Sequence, residues 1–389
     1  MTPNPTRIRV IHLVNAYQHG GAEMVIRDLI AQSDPERFEF RVCALFDRHA
    51  ARDWIDRLGV DFVSPQFRTV IDPTRLSRLF TIIHQFRPHL VHTHLPVSDL
   101  YGWGLHRLDG RAPLVTTLHN MADFYYANGP WLRRCEARAH RLAMNRWPGT
   151  IVAIAATVKH SFAGYLADWQ RIQVVENGLD EQRLDSQRRH SRRHLRRRLG
   201  IPDTTSLLLS VGRLEEQKNY DLLIQAAGLL AASPTPFSLL IAGGGSQRRR
   251  LEQLIADAGL AQVIRLLGPT DDVVDLINAA DCFVMTSVVE GLPMALLEAM
   301  MMGLPVVSTA VGAIPELITD KVTGRLVPAH DPHALAEAIQ QVIASPDQAA
   351  EWAEHAQERV RSHYSAATMA GKYQLIYQEL AESSSEPYD

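Results

Sequence analysis

Two glutamates, Glu290 and Glu298, interrupt the apolar run "SVVEGLPMALLEAMMMGLPVVSTAVGAIPE" at residues 287–316. Burying an unpaired carboxylate is costly, so both acids are expected to hold a partner. Upstream, "SVGRLEEQKNYDLLIQAA" places Arg213 and Lys218 five residues apart between a strand-like run and a helix-like one. A planar guanidinium fork and a point-charge ammonium suit a diphosphate. Two solvated loop charges are the alternative, and spacing alone does not separate the two. The segment Glu290-Gly291-Leu292-Pro293 brings backbone N–H groups and a helix start to the same place, because proline begins helices well. Helix N-termini attract anions, and Gly291 lets a ligand approach the backbone. Carboxylates there would accept hydrogen bonds from hydroxyls. Cations and amides for a diphosphate, with acceptors for hydroxyls, are what a sugar nucleotide needs.

The elements that position these residues alternate between two periods. Strand-like runs "IRVIHLV", "FRVCALF", "LVHTHL", "LVTTLH" and "IVAIAA" are separated by stretches with helical spacing. A second series, "SLLLSVGRL", "FSLLIAGGG", "VIRLLG", "CFVMTS", "LPVVST" and "GRLVP", follows an arginine-rich stretch near 180–205. The pattern is that of parallel sheets covered on both faces. It predicts an α/β chain of two doubly wound domains, residues 1–180 and 181–363, with a last helix and polar tail over 364–389. At 389 residues the chain exceeds what one hydrophobic core serves. Ligands of such folds sit beyond the C-terminal strand ends, so the chemistry is expected in the strand-to-helix loops.

The segments "GRLEEQKNYDLLI", "IAGGGSQRRRLE", "IRLLGPTDDVVDLINAADCFVMTSVVEGLPMALLEAMMMGLPVVSTAVGAIPELI" and "TGRLVPAHDPHALAEAI" resemble the nucleotide-binding half of family-4 retaining glycosyltransferases. "HLVNAYQHGGAE", "VHTHLP" and "TLHN" are similar to motifs of that family's N-terminal half. The resemblance covers about residues 8–380 and rests on two glutamates separated by seven residues with an Arg and Lys upstream. It implies a GT-B fold, two Rossmann-like domains facing across a central cleft, with the C-terminal helix crossing back to the first domain. Arg213 and Lys218 would bind the donor diphosphate and stabilise it as it leaves. Glu290, beside the amides of Gly291, Leu292 and Pro293, would hold the transferred sugar, and Glu298 the ribose. Gly20 and Gly21 would admit the phosphates to the backbone, His119 would contact the donor sugar near the reacting carbon, and Gly268 would lie against the base. The implied reaction is retaining transfer from a nucleotide-diphosphate sugar to a cell-envelope, lipid-linked or exopolysaccharide-type acceptor. No cofactor or metal is implied. Ala155 stands where family members often carry serine, and "ENGLD" varies around its Asn-Gly; neither touches the donor constellation.

Other features have plainer readings. His89, His92 and His94 invite a metal, but no nearby acid or cysteine completes a set. Asp271 and Asp272 read as helix-start charges. "GGGSQRRR" has Arg248 where the dinucleotide fingerprint needs its third glycine. The run Arg188–Arg198 fits either a solvated helix face or anionic lipid. Phe124, Tyr125, Tyr126 and Trp131 before a basic helix suit a membrane edge, sugar stacking or ordinary core. The net charge of -3 argues against a nucleic-acid partner. Cys43, Cys135 and Cys282 lack paired or metal spacing, and neither a signal-peptide apolar region nor a run of roughly 18 apolar residues occurs. These point to the cytoplasm, with contact at the inner membrane face left open. A non-catalytic sugar-nucleotide binder and a sugar-nucleotide epimerase of the same fold are the rival functions.

Overall fold

The structure, a computed structural model, describes residues 7–18, 20–46, 51–70, 72–110, 112–126, 130–232 and 235–383. The chain forms two compact units. One takes the chain up to Gly178 together with the segment from Ala366 onward; the other is Leu179–Ser365. The breaks thus fall two residues outside the expected 180/181 and 363/364. The reason is local pairing: Leu179 N donates to Tyr364 O at 2.8 Å and Leu179 bridges Ser365, so both boundary segments belong to the second unit.

The first unit holds, among the described residues, seven parallel strands: β1 (Ile8–Val14), β2 (Phe38–Ala44), β3 (Asp61–Val63), β4 (Leu90–His94), β5 (Leu114–Leu118), β6 (Thr150–Ala153) and β7 (Gln173–Val174). Their order is β3-β2-β1-β4-β5-β6-β7. The second unit holds six among the described residues: β8 (Ser206–Val211), β9 (Phe237–Ala242), β10 (Ile264–Gly268), β11 (Cys282–Met285), β12 (Val306–Thr309) and β13 (Arg325–Val327), ordered β10-β9-β8-β11-β12-β13. Both are doubly wound sheets with helical crossovers, and each reverses strand order once, at β1/β4 and at β8/β11. Loops leaving strands on either side of such a reversal diverge and leave a crevice for a ligand.

The strands of the second sheet are largely apolar, as strands covered on both faces tend to be. Leu208, Leu239, Ile241, Val284 and Val307 pack against the helices Tyr220–Ala231 and Pro332–Ala344. In the first unit the middle of the sheet is unusually polar: His12, His92, His94, Thr93, Thr116 and Thr117 are all buried. Hydrogen bonds offset that cost. His92 Nδ1 meets Tyr377 Oη at 2.7 Å, His92 Nε2 meets Thr117 Oγ1 at 2.8 Å, and Thr117 Oγ1 meets Tyr373 Oη at 2.8 Å. Tyr373 and Tyr377 lie on the helix Ala366–Ser383, which therefore docks on β1 and β4 through a polar seam inside an apolar contact.

Candidate functional site

The second unit's strand reversal separates the two loops that carry the donor-site residues expected from the sequence. The chain leaves β8 at Val211, and Lys218 closes a short 3-10 turn, Glu216–Lys218. Asn219 then takes the left-handed conformation (φ 48°), which asparagine tolerates, and the helix Tyr220–Ala231 follows. On the other side, β11 ends at Met285 and the loop reaches Pro293, the cap of the helix Met294–Met301. The two loops are tied together. Val288 N donates to Gln217 O (2.9 Å), Gln217 Nε2 to Val289 O (2.8 Å), and Thr286 Oγ1 to Lys218 O (2.9 Å).

This zipper brings Lys218 Nζ to 2.5 Å from Glu290 Oε1, and Ser287 Oγ donates to the same oxygen at 2.6 Å. Glu290 is buried, so the ammonium supplies the partner that a buried carboxylate requires. Lys218 is consequently no free loop charge: a phosphate arriving there would share the ammonium with Glu290. Gly212 makes room, since a Cβ on it would stand 3.0 Å from Lys218 Cε. Arg213 is exposed at the head of the same loop. Its charge helps hold the Glu215 carboxyl below its usual range, after the larger effect of the Ser246 backbone and hydroxyl hydrogen bonds.

Glycines that sequence reasoning passed over shape this site. Gly312 has φ 54°, and a Cβ on it would lie 1.9 Å from the carbonyl oxygen of Glu290. The backbone at Glu290 is thus buttressed by a position that only glycine fills. Gly243 and Gly245 likewise press against the carbonyls of Gly212 and Leu214, with a Cβ meeting them at 1.9 and 2.3 Å. The triple glycine after β9 serves to pack two loops. Gly268 ends β10 with φ 83° and accepts from Gly243 N at 2.9 Å. Gly291, Leu292 and Pro293 are buried at the helix start.

Glu298 lies just over one turn into its helix and is buried beside Arg183, whose Nη2 donates to Oε1 at 3.1 Å. Sequence reasoning missed Arg183, which sits 115 residues away in the helix Glu181–Gln187. A charge inside "LDEQRLD" was the only signal, and it is not distinctive.

In the first unit, Gly20 caps the helix Gly21–Ala31 in an extended conformation. A Cβ on Gly20 would meet the Glu23 carboxylate at 2.4 Å, and Glu23 Oε1 accepts from Gln18 N at 3.5 Å. The turn therefore carries an anion of its own, which explains the glycine without any ligand. His119 follows β5 and is nearly buried; its backbone N–H donates to Tyr125 Oη at 3.0 Å. Its Nε2 lies 3.0 Å from His94 Nδ1, and His94 Nε2 lies 3.0 Å from His12 Nδ1. Burial pushes His119 down to about 4, opposed by the charge of Asp99. It pushes His12 down to about 3, and His94 also falls well below its ordinary value. These rings are neutral near pH 7. Among the described residues the cluster with metal-ligand proximity is His12, His92 and His94, so His12 stands where the sequence reading had His89; His89 instead accepts from Arg9 N at 2.9 Å.

Asp99 is a separate buried centre. It accepts from Thr93 and Thr116 hydroxyls, each at 2.6 Å, and meets His140 Nε2 at 2.9 Å. An apolar pocket of about 240 Å³, lined by Phe80, Ile83, Val91, Leu105 and Leu114, lies at the starts of β4 and β5. That is the opposite end of the sheet from His94 and His119.

The arginine run forms the helix Arg192–Leu199, and Arg192 and Arg196 both bind Asp281, the latter at 3.0 Å, while Arg198 pairs with Asp272 at 3.2 Å. Arg196 is buried. Much of the run is therefore ion-paired within the second unit. The aromatic group divides: Tyr125 is core and Tyr126 packs on His140 with ring centroids 5.7 Å apart, but Phe124 is 37% and Trp131 71% exposed. Ala155 caps the helix Ala156–Ser161 without a side-chain hydrogen bond.

Comparison with known proteins adds the following. The family described as "Glycosyltransferase Family 4" matches residues 19–183, and "Glycosyl transferases group 1" matches residues 191–359. A D-inositol 3-phosphate glycosyltransferase of Corynebacterium urealyticum is 31% identical over 331 residues, 79% of this chain and 77% of that one. The solved structure of Anabaena Alr3699/HepE, in complex with UDP and glucose, is similar with a TM-score of 0.84 at 20% identity, covering 96% of this chain and 100% of that one. WaaG, a glycosyltransferase involved in lipopolysaccharide biosynthesis, gives a TM-score of 0.76 at 18% identity over 94% and 99% of the two chains.

Proposed function

Because the chain belongs to the group 1, family-4 glycosyltransferases of GT-B fold, we propose that it transfers a sugar from a nucleoside-diphosphate sugar to a cell-envelope, lipid-linked or exopolysaccharide-type acceptor with retention of configuration. The observation that carries this reading is the union of Lys218 and Glu290 at the β8/β11 reversal, with Arg213 at the head of the same loop. Arg213 and Lys218 bind the diphosphate and take up the negative charge that grows as it departs; removing one such preorganised group typically costs on the order of 10²–10³ in rate. Glu290 exchanges its ammonium partner for sugar hydroxyls, and Gly291 and Leu292 offer backbone N–H groups beside it, at the start of the helix that Pro293 caps. Glu298 binds the ribose from its place against Arg183, and Gly268 borders the base. His119 contacts the donor sugar. No metal or cofactor enters this scheme.

UDP in the Anabaena neighbour makes uridine nucleotides the first to test. For the acceptor, the lipopolysaccharide role of WaaG supports an envelope glycan, while the inositol phosphate in the relative's name supports a phosphorylated polyol as the second reading. The helix Trp131–Asn145 exposes Trp131, Leu132, Arg133, Arg134 and Arg138, a combination suited to an anionic lipid surface and so to a lipid-linked acceptor. No described helix is long and apolar enough to cross a membrane.

Release of nucleoside diphosphate from a panel of nucleotide sugars, with and without lipid-linked or polyol acceptors, tests the reading. Wild type turns over one donor and Glu290→Ala loses at least about a hundredfold. Turnover of none, or full activity in Glu290→Ala, contradicts it.

A further inference from the structure

We propose that His94 and His12 are positioning residues that hold His119 in one ring tautomer, so that His119 presents Nδ1–H as a hydrogen-bond donor. The three rings form a single file inside the first unit's sheet. His12 lies on β1, His94 ends β4, and His119 follows β5. Contacts run from His12 Nδ1 to His94 Nε2 and from His94 Nδ1 to His119 Nε2, each at 3.0 Å.

A neutral imidazole carries one N–H and one lone pair. Burial keeps all three rings neutral, so each contact needs one donor and one acceptor, and the three tautomers are locked to one another. Only two arrangements satisfy both contacts. In one, every Nε2 carries the proton; His12 Nε2–H is then the terminal donor. In the other, every Nδ1 carries it, and His12 Nε2 ends the file as a bare lone pair.

His12 Nε2 decides between them, because it is buried without a hydrogen-bond partner among the described residues. The ring sits among the faces of Phe40 and His92, with centroids 5.7 and 4.9 Å away. An orphaned buried N–H is the rarest defect in folded proteins, and an under-used acceptor is better tolerated. The all-Nδ1–H arrangement is therefore preferred. It leaves the proton on His119 Nδ1, the nitrogen not used by the file.

The backbone around His94 is built to hold this register. Leu95 adopts φ 79° and ψ 154°, a region that non-glycine residues rarely occupy without support from their surroundings. Ser98 Oγ accepts from His94 N at 3.2 Å and donates to the His94 carbonyl, and Ser98 N donates to Asn15 Oδ1 at 2.9 Å. A metal in the His12, His92 and His94 cluster is the competing reading. Both His92 nitrogens are already hydrogen-bonded to Tyr377 and Thr117, and the His12 and His94 nitrogens face one another as a hydrogen-bonded pair.

The consequence rests on the proposed role of His119: it would give a hydrogen bond to a donor-sugar oxygen and would not act as a base. The tautomer itself is measurable without any donor. Ring-nitrogen NMR of the 15N-histidine-labelled full chain, assigned through single variants, is expected to show protonated Nδ1 and unprotonated Nε2 for His12, His94 and His119. His94→Asn places an amide donor near the Nδ1 position, and His94→Asp places an acceptor there. The Asn variant should keep His119 as Nδ1–H with kcat/KM within about tenfold of wild type. The Asp variant should move the proton to Nε2 and lose at least about a further tenfold. If the Asp variant does not fold, the wild-type and Asn spectra still decide. An Nε2–H tautomer at His119 in wild type or the Asn variant, or stoichiometric metal in the purified protein, overturns the proposal. Failure of transfer with the tautomers as described would instead remove the functional reading and leave the relay standing.

Discussion

At Glu290 a carboxylate is buried, paired with Lys218 at 2.5 Å, and backed by a glycine that no other residue can replace. These facts set what substitutions do. Gly312→Ala forces a left-handed alanine and a Cβ 1.9 Å from the Glu290 carbonyl. We expect a loss of at least about 2 kcal/mol in urea unfolding, with a parallel fall in transfer because the Glu290 loop must move. An unchanged midpoint would mean the loop yields freely. Lys218→Ala removes the partner of a buried carboxylate, so it mixes lost stability with lost binding. Arg213 is exposed and makes the cleaner probe of the diphosphate site. The buried histidines set a pH dependence. Unfolded, these rings titrate near 6.5; folded, His12 and His119 are held down at about 3 and 4. Below about 6.5 the unfolded state binds more protons, so stability present above that pH is lost as pH falls from 6.5 toward 4. Each such histidine contributes a slope of up to about 1.4 kcal/mol per pH unit. Chemical denaturation at a series of pH values between 7 and 4 checks this; a flat or rising stability toward pH 5 would show that the rings are not held neutral.

The helix Ala366–Ser383 contributes Tyr373 and Tyr377 to the polar seam under β4. Tyr377→Phe leaves His92 Nδ1 unsatisfied in the core. It should destabilise by about 1–3 kcal/mol, seen as an earlier thermal or urea transition. No change would show that the seam is incidental to docking. At this scale much was legible beforehand. Apolar runs such as "IRVIHLV" and "CFVMTS" mark β1 and β11 because strands buried on both faces leave no polar side to hide. The loop positions of Arg213, Lys218 and Glu290 followed from where those runs end. What stayed hidden depends on distance in three dimensions. Arg183 reaches Glu298 across 115 residues, His12 and not His89 joins His92 and His94, and Gly312 touches a backbone atom of Glu290. None of these contacts leaves a periodic trace. Tyr125, grouped by sequence with the exposed Phe124 and Trp131, turned inward because its hydroxyl accepts the His119 amide. The arginine run, which by sequence fits either a solvated face or anionic lipid, gives three of its members to Asp281 and Asp272.

Among the described residues each of the two units carries a single reversal in strand order; Lys218 and Glu290 lie at β8/β11 and His94 near the end of β1 at β1/β4, while His119 follows β5 and Gly268 ends the edge strand β10. The family assignment supplies the reaction class, and the geometry supplies the residues to examine. Binding of a nucleoside diphosphate is the step on which every other claim depends. A thermal-shift series with UDP, GDP, ADP and CMP on wild type and Arg213→Ala measures it directly. At about 100 times its dissociation constant, a ligand that binds only the native state stabilises it by roughly 2.7 kcal/mol. The account predicts that one diphosphate raises the melting temperature of wild type, and that Arg213→Ala melts like wild type alone but responds far less. Equal responses in both proteins, or none to any nucleotide, would contradict the assignment of the diphosphate to the β8 loop.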